Sequence, residues 1–311
     1  MMPISLFSLG CHAAQAEAGS AGAQVVLRLG PLDVAAIPAL QALYAQLLAP
    51  AAAPDLASTL QDAARGHGRQ VLLAWRAGQP VGCAGWVSLG IARDGQCFAA
   101  PLFAADADAA SALLASVSRE ARRLGARSLR VSAWAGEDAK LQALRAAGFQ
   151  YCFDWVQFAC ATAGARAVDF AAAGWQRVAP ADFDWPQLAA LYASTFRAVP
   201  NAPPVDLATF QAEWTPADWD AGCVLADATG RYRAFCLIEG GAVEAVGVDE
   251  ALRGQGLARL LYQHACERLA LRGITTLSAL VASSNHASLG LHQGLGFYEA
   301  LPRGAVYELA V

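Results

Sequence analysis

The chain repeats itself, and the repeat limits its fold more than any single motif does. RLGARSLRVSAWAGEDAKLQALRAAGF (123–149) lies over LRGITTLSALVASSNHASLGLHQGLGF (271–297) without a gap. Gly125, Leu129, Gly148 and Phe149 pair with Gly273, Leu277, Gly296 and Phe297, each 148 positions apart. Upstream, VLRLGPLDVAAIPALQALYAQ (26–46) matches WQRVAPADFDWPQLAALYAST (175–195): a short strand leads into a helix ending in Leu-Tyr-Ala. Between them, VLLAWRAGQPVGCAGWV (71–87) and VLADATGRYRAFCLIEG (224–240) both read as hairpins, with Gly78 and Gly230 suited to the positive φ of the turn. The order strand, helix, hairpin, helix, strand, helix, Gly-Phe occurs twice, so one α/β fold is used twice. The expected division is a flexible Ala/Gly/Ser-rich leader over 1–23, a first copy over 24–160 and a second over 161–311. The small-residue stretch ACATAGARAV (159–168) serves as the joint.

Composition narrows the function. With 311 residues, 56% of them hydrophobic, there is enough apolar material for two cores. The formal net charge is −4, so a basic surface that neutralises nucleic-acid phosphates is not expected. No apolar run reaches the roughly 18 residues of a spanning helix, which argues against a membrane partner. The eight cysteines form no CxxC pair and no zinc-like spacing. They read as small buried hydrophobes in a reducing cytosol, with no metal site.

Chemistry concentrates in VGVDEALRGQGLARLL (246–261). AVEAVGV (242–248) reads as a buried strand, and Leu257, Leu260, Leu261, Ala265 and Leu269 recur at helical spacing. Arg253-Gly254-Gln255-Gly256 joins the two. A glycine loop feeding a helix points several backbone N–H groups, and the positive end of the helix dipole, at one spot. Such a loop either cradles phosphate or is an ordinary strand–helix turn. Gly247 inside a strand marks a bulge, a close ligand approach, or a packing requirement.

The wider pattern resembles the GNAT acetyltransferase superfamily. That family's acetyl-CoA loop, Q/R-x-x-G-x-G/A, is matched by Arg253, Gly256 and Ala258. Its N-x-x-A-x-x-L-Y-x-x-x-G-F motif is matched by Asn285, Ser288, Leu291, His292, Gly296 and Phe297, with Ser for Ala and His for Tyr. The resemblance implies two tandem GNAT-like domains, each a mixed central sheet flanked by helices, and acetyl-CoA as co-substrate. It implies that Arg253, Gly254, Gln255, Gly256, Leu257, Ala258 and Asn285 form the CoA end of the site. Pantetheine would pair with Val246, Gly247 and Val248, and the amide of Val246 or Val248 would polarise the thioester carbonyl. The layout resembles mycothiol synthase and related tandem proteins, which keep activity in the second domain.

Transfer to an amine needs a base and an acid. Glu244 shares a strand face with Val246 and Val248 at period two and is the expected base. His292 stands where the family often has its tyrosine acid, and its ordinary pKa near 6.5 suits proton transfer. His264 and His286 read as surface residues. For the acceptor, a small-molecule amine, Phe196, Arg197, Trp214 and Trp219 in the stretch 195–222 are the expected lining, with Arg197 meeting an anionic group. Shifting by 148 carries Arg253, Gly256 and Ala258 onto Ala105, Asp108 and Ala110, His292 onto Leu144 and Asn285 onto Glu137. The first copy has therefore lost its loop and is expected to support the second. The competing expectation is a non-catalytic acyl-CoA sensor or scaffold.

Overall fold

The computed structural model describes residues 26–47, 55–197 and 206–311. The expected leader, 1–23, lies outside the described residues, as does 198–205 within the acceptor-side stretch. The first copy runs β1 (Arg28–Pro31), α1 (Ile37–Leu47), α2 (Leu56–Leu60), β2 (Val71–Arg76), β3 (Gln79–Val87), α3 (Ile91–Asp94) and β4 (Gln96–Ala104). It continues through α4 (Ala107–Arg123), β5 (Ser128–Trp134), α5 (Asp138–Ala146) and β6 (Gln150–Ala161). The second runs β7 (Gln176–Val178), α6 (Trp185–Phe196), α7 (Leu207–Trp214), β8 (Cys223–Ala226), β9 (Tyr232–Glu239) and β10 (Ala242–Val248). It ends with α8 (Leu257–Leu271), β11 (Thr276–Ala282), α9 (His286–Gly294), β12 (Tyr298–Glu299) and β13 (Gly304–Ala310). The order of elements recurs, except that α3 has no counterpart in the second copy and β12 none in the first.

All the main strands join one sheet, in the order β1-β2-β3-β4-β5-β13-β6-β11-β10-β9-β8-β7. Only β4/β5 and β10/β11 run parallel; the other neighbours are antiparallel, so the sheet is mixed. At its centre the copies exchange strands. The last strand, β13, pairs with β5 of the first copy from Gly304–Trp134 to Ala310–Ser128. Reciprocally β6, the last strand of the first copy, pairs with β11 from Thr276–Ala161 to Ala282–Trp155. Each half of the sheet is completed by the other copy.

Helices cover the sheet through apolar stripes. In the first copy α4 buries Leu113, Leu114, Val117 and Ala121 against β3, β4 and β5. In the second, α8 buries Leu257, Leu261, Ala265 and Leu269 against β9, β10 and β11. Each of these large aliphatic side chains contributes about 1.5–3 kcal/mol when fully removed from water. On the opposite face α7 packs Trp214 onto Phe235 of β9, with Phe210 and Trp219 each against Trp214. Among the described residues no helix is long and apolar enough to cross a membrane.

Candidate active site

The site begins with a gap in the sheet. Parallel β10 and β11 pair at only two positions, Ala242–Ser278 and Val243–Ala279, and then diverge. Antiparallel β9 follows the other edge of β10 through Val248–Ala234, with a register shift between Val243 and Ala245. A β-bulge therefore sits at Glu244, bending β10 away from β11. One set of β10 backbone groups beyond the bulge pairs with β9, and the other faces the gap. The gap opens into a cleft of about 1110 Å³, to which β10, α8 and α9 all contribute.

Gly247 has a packing reason. A Cβ there would stand 2.4 Å from Phe235 Cε1 and 2.8 Å from Thr195 Oγ1, so the ring of Phe235 and the Thr195 hydroxyl already fill that side. A bulge, one of the three readings of Gly247, lies three residues earlier, at Glu244.

At the far end of the cleft the glycine loop meets α8. Gly254 and Gly256 have φ of 76° and 85°, left-handed values that glycine adopts without strain. A Cβ at either would meet nothing within 4 Å, so the loop needs glycine for its conformation, not for room. Gly256 is the N-cap and offers no side chain to the helix. The first-turn N–H groups of Leu257, Ala258 and Arg259 have no intrahelical acceptors. Arg253, Gly254, Gly256, Leu257 and Ala258 line the cleft, with Arg253 exposed at its rim. Gln255 does not line it; its Nε2 donates to the Ala251 carbonyl at 3.2 Å and braces the loop. Asn285 lines the cleft and caps α9, its Oδ1 accepting from Ser288 N at 3.2 Å.

The first copy differs at the corresponding helix start. Eight residues, 249–256, separate β10 from α8, but only Ala105 and Asp106 separate β4 from α4. The starts of α4 and α8 lie 150 positions apart, so the gap-free shift of 148 fails at the loop. Asp106, not Asp108, stands at the place of Gly256. Its carboxylate accepts from Ala109 N at 3.0 Å and pairs with Arg76, which holds its pKa below the usual range. The helix end is capped and neutralised. Glu137, the counterpart of Asn285, is 4% exposed and bridged to Lys140 at 2.7 Å.

Glu244 stands exposed in the cleft wall, on the less buried side of β10 with Val246 and Val248. Partial desolvation, and secondarily the charge of Glu239, push its carboxyl above the ordinary value. His292 lies in the cleft floor at 2% exposure, stacked on Phe158 at 5.3 Å. Its Nδ1 is 2.8 Å from the Ser288 carbonyl, which can only accept, so Nδ1 carries the proton. Its Nε2 then accepts from the Tyr262 hydroxyl at 2.8 Å. Burial holds His292 below its ordinary pKa and Tyr262 well above its own, so both are neutral near pH 7. Sequence reasoning missed Tyr262 because it falls within the apolar stripe of α8.

Four expectations change. Trp214 and Trp219 are 5% and 9% exposed in the aromatic core and do not line the cleft, whereas Phe196 and Arg197 do. The first-shift alignment misplaces the loop, as shown above. His264 is buried, its Nε2 3.1 Å from the Asp220 carbonyl, because α8 is covered on that side by Phe170; His286 is exposed as expected. Gln255 turns to the Ala251 carbonyl and does not line the cleft. Arg93 and Trp155, from the first copy, also line the cleft and were not anticipated, since each copy was read separately.

A parallel strand pair that splays beside an uncapped helix start leaves an unpaired strand edge and free helix N–H groups in one cleft, an arrangement able to take an extended, anionic ligand. The Acetyltransferase (GNAT) family model matches residues 185–297, from α6 to the closing Gly-Phe. The L-methionine sulfoximine/L-methionine sulfone acetyltransferase of Pseudomonas paraeruginosa is 35% identical over 129 residues, 37% of this chain and 74% of that protein. The [Ribosomal protein bS18]-alanine N-acetyltransferase of Salmonella typhimurium is 38% identical over 65 residues, 21% of this chain and only 44% of that protein. A tandem GNAT protein from the clavulanic acid biosynthesis pathway shares the fold, with a TM-score of 0.64 at 15% identity over 91% of this chain and 98% of its own. The chain belongs to the GNAT family and is an acetyltransferase; the family uses acetyl-CoA as co-substrate.

Proposed function

We propose that the protein transfers the acetyl group of acetyl-CoA to the amine of a small molecule, with one working site in residues 161–311. Residues 24–160 form a degenerate copy that supports it, an arrangement like that of mycothiol synthase-like tandem proteins. One contrast carries this reading. The second copy pairs a splayed strand edge with an uncapped helix end, while the first fills the corresponding helix end with Asp106 and Arg76. The 74% coverage of a relative named for small amino-acid-like acceptors supports a small-molecule amine over a protein N-terminus.

The residues divide the work as follows. The N–H groups around 254–258 hold the CoA pyrophosphate, with Arg253 at the rim. The free edge of Val246, Gly247 and Val248 pairs with pantetheine. An amide of Val246 or Val248 donates to the carbonyl oxygen as it gains negative charge, an interaction worth about 3 kcal/mol. Glu244, through water, takes a proton from the acceptor ammonium. The amine nitrogen then forms its bond to the acetyl carbon, and the carbon–sulfur bond breaks. The departing thiolate takes up the second proton that the attacking nitrogen loses, passed on through the Tyr262 hydroxyl and the His292 ring bonded to it, so that both end neutral. Free-thiol release from acetyl-CoA, measured against a panel of small amines, is the test. Turnover with at least one amine supports the assignment; acetyl-CoA binding without thiol release from any of them contradicts it.

A further inference from the structure

We propose that the first copy completes the acceptor end of the cleft: Arg93, with Arg197 of the second copy, binds the carboxylate of the acceptor, which makes the acceptor an α-amino acid or a closely related carboxylate-bearing amine. This rests on the acetyltransferase assignment above and deepens it. Arg93 lies on α3, between β3 and β4 of the first copy, yet it lines the same cleft as Glu244, Arg197 and the strand edge of β10. Its turn is held firmly. Asp94 N donates to Gly90 O at 2.8 Å and Gly95 N to Ile91 O at 3.0 Å. Arg127 Nη2 donates to the Asp94 carbonyl at 2.8 Å, and Asp94 Oδ1 accepts from Gln96 N at 3.0 Å. The backbone under Arg93 is thus fixed by four hydrogen bonds.

Among the described residues the Arg93 guanidinium makes no hydrogen bond within the fold. The carboxylate nearest to it is that of Asp94, 3.9 Å from Nε, beyond hydrogen-bond distance. Arg93 faces α6 and α7 of the other copy: Tyr192 feels both its charge and the opposing charge of Glu213, which also lines the cleft. With the carboxylates of Asp94 and Glu213 beside the two guanidinium groups the charges at this end balance, so recognition rests on the arginine fork and not on net charge. A phosphate finds its N–H cradle at the opposite end, at α8, and none is provided here. A planar carboxylate matches the fork of an arginine. With the carboxylate so held, the acceptor ammonium is drawn toward Glu244 in the same cleft.

The test uses the full chain, saturating acetyl-CoA, and matched pairs of L-α-amino acids and their carboxamides, followed by thiol release. The acids are expected to be turned over with a kcat/KM about ten- to a hundred-fold above their amides, the scale of one or two charge-assisted hydrogen bonds. Arg93→Met is expected to collapse that ratio through KM, and Arg93→Lys to restore part of it. Acetyl-CoA affinity by calorimetry monitors folding in each variant. Equal turnover of acid and amide, or a ratio unmoved by Arg93→Met, overturns the proposal. So does thiol release confined to amines without a carboxylate, which leaves the acetyltransferase assignment standing. Absence of acetyl-CoA binding by the unaltered protein overturns the assignment itself.

Discussion

Gly256 and Asp106 occupy the same place at the start of corresponding helices, and the difference between them is the difference between the copies. Gly256→Asp would rebuild the first copy's cap in the second: a carboxylate accepting from the helix N–H groups, with negative charge where a pyrophosphate is to sit. The substitution also places a side chain at φ 85°, a strain of about 1–2 kcal/mol. We expect acetyl-CoA affinity to fall at least a hundred-fold by calorimetry while the circular-dichroism spectrum is retained; unchanged affinity would remove the phosphate-loop assignment. At Glu244 the expected effect is on chemistry. Glu244→Gln should lower kcat by about 10²–10⁴ with little change in acetyl-CoA affinity. Because the Glu244 carboxyl is raised and only its deprotonated form accepts a proton, activity should climb with pH above the ordinary carboxylate range. That ascending limb should be missing from Glu244→Gln; a variant that keeps it places the base elsewhere. Much at this scale was legible. Arg253, Gly254, Gly256 and Asn285 announce themselves by type and spacing. Trp214 and Trp219 did not, because an aromatic residue at or after a helix end is equally suited to a pocket or a core, and only the packing of Trp214 onto Phe235 and of Trp219 onto Phe183 and Trp214 decides.

Strand β10 shows what alternation can and cannot tell. Its apolar pattern gives a buried strand before a helix, and the structure has one. The bulge at Glu244 depends on the partner strands, where Ile238 and Leu237 face Val243 and Ala245 with Glu244 between them, and no local signal records it. Gly247 is the residue most sensitive to that geometry. Gly247→Ala would set a Cβ 2.4 Å from Phe235 Cε1 in a close-packed core. We expect a loss of about 1–3 kcal/mol in urea unfolding, with a favourable coupling when combined with Phe235→Leu. Additive effects in that double-mutant cycle would show that the ring does not set the requirement for glycine. The missing loop between β4 and α4 was also partly hidden. The gap-free match at the ends of the copies does not extend through a segment where one copy has eight residues and the other two.

Over the whole molecule, the repeat made two α/β units readable, but not how they join. Strand exchange leaves each copy's sequence pattern intact while changing its neighbour, so nothing local betrays it. β13 is paired along both edges, to β5 and to β6, and its Val306 is 2% exposed. Removing residues 304–311 opens two strand edges at the centre of the sheet. We expect that truncated chain to lose cooperative unfolding and to aggregate; a soluble protein with the full-length transition would show the exchange to be dispensable. The exchange also brings Trp155 to the cleft wall, and Arg93 reaches it from the first copy, so the first copy shapes the cleft; the proposed function gives it no acetyl-CoA of its own. The most direct measurement of this division of labour is the stoichiometry of acetyl-CoA binding to the full chain by isothermal titration calorimetry. One acetyl-CoA per chain is predicted; two per chain would contradict it.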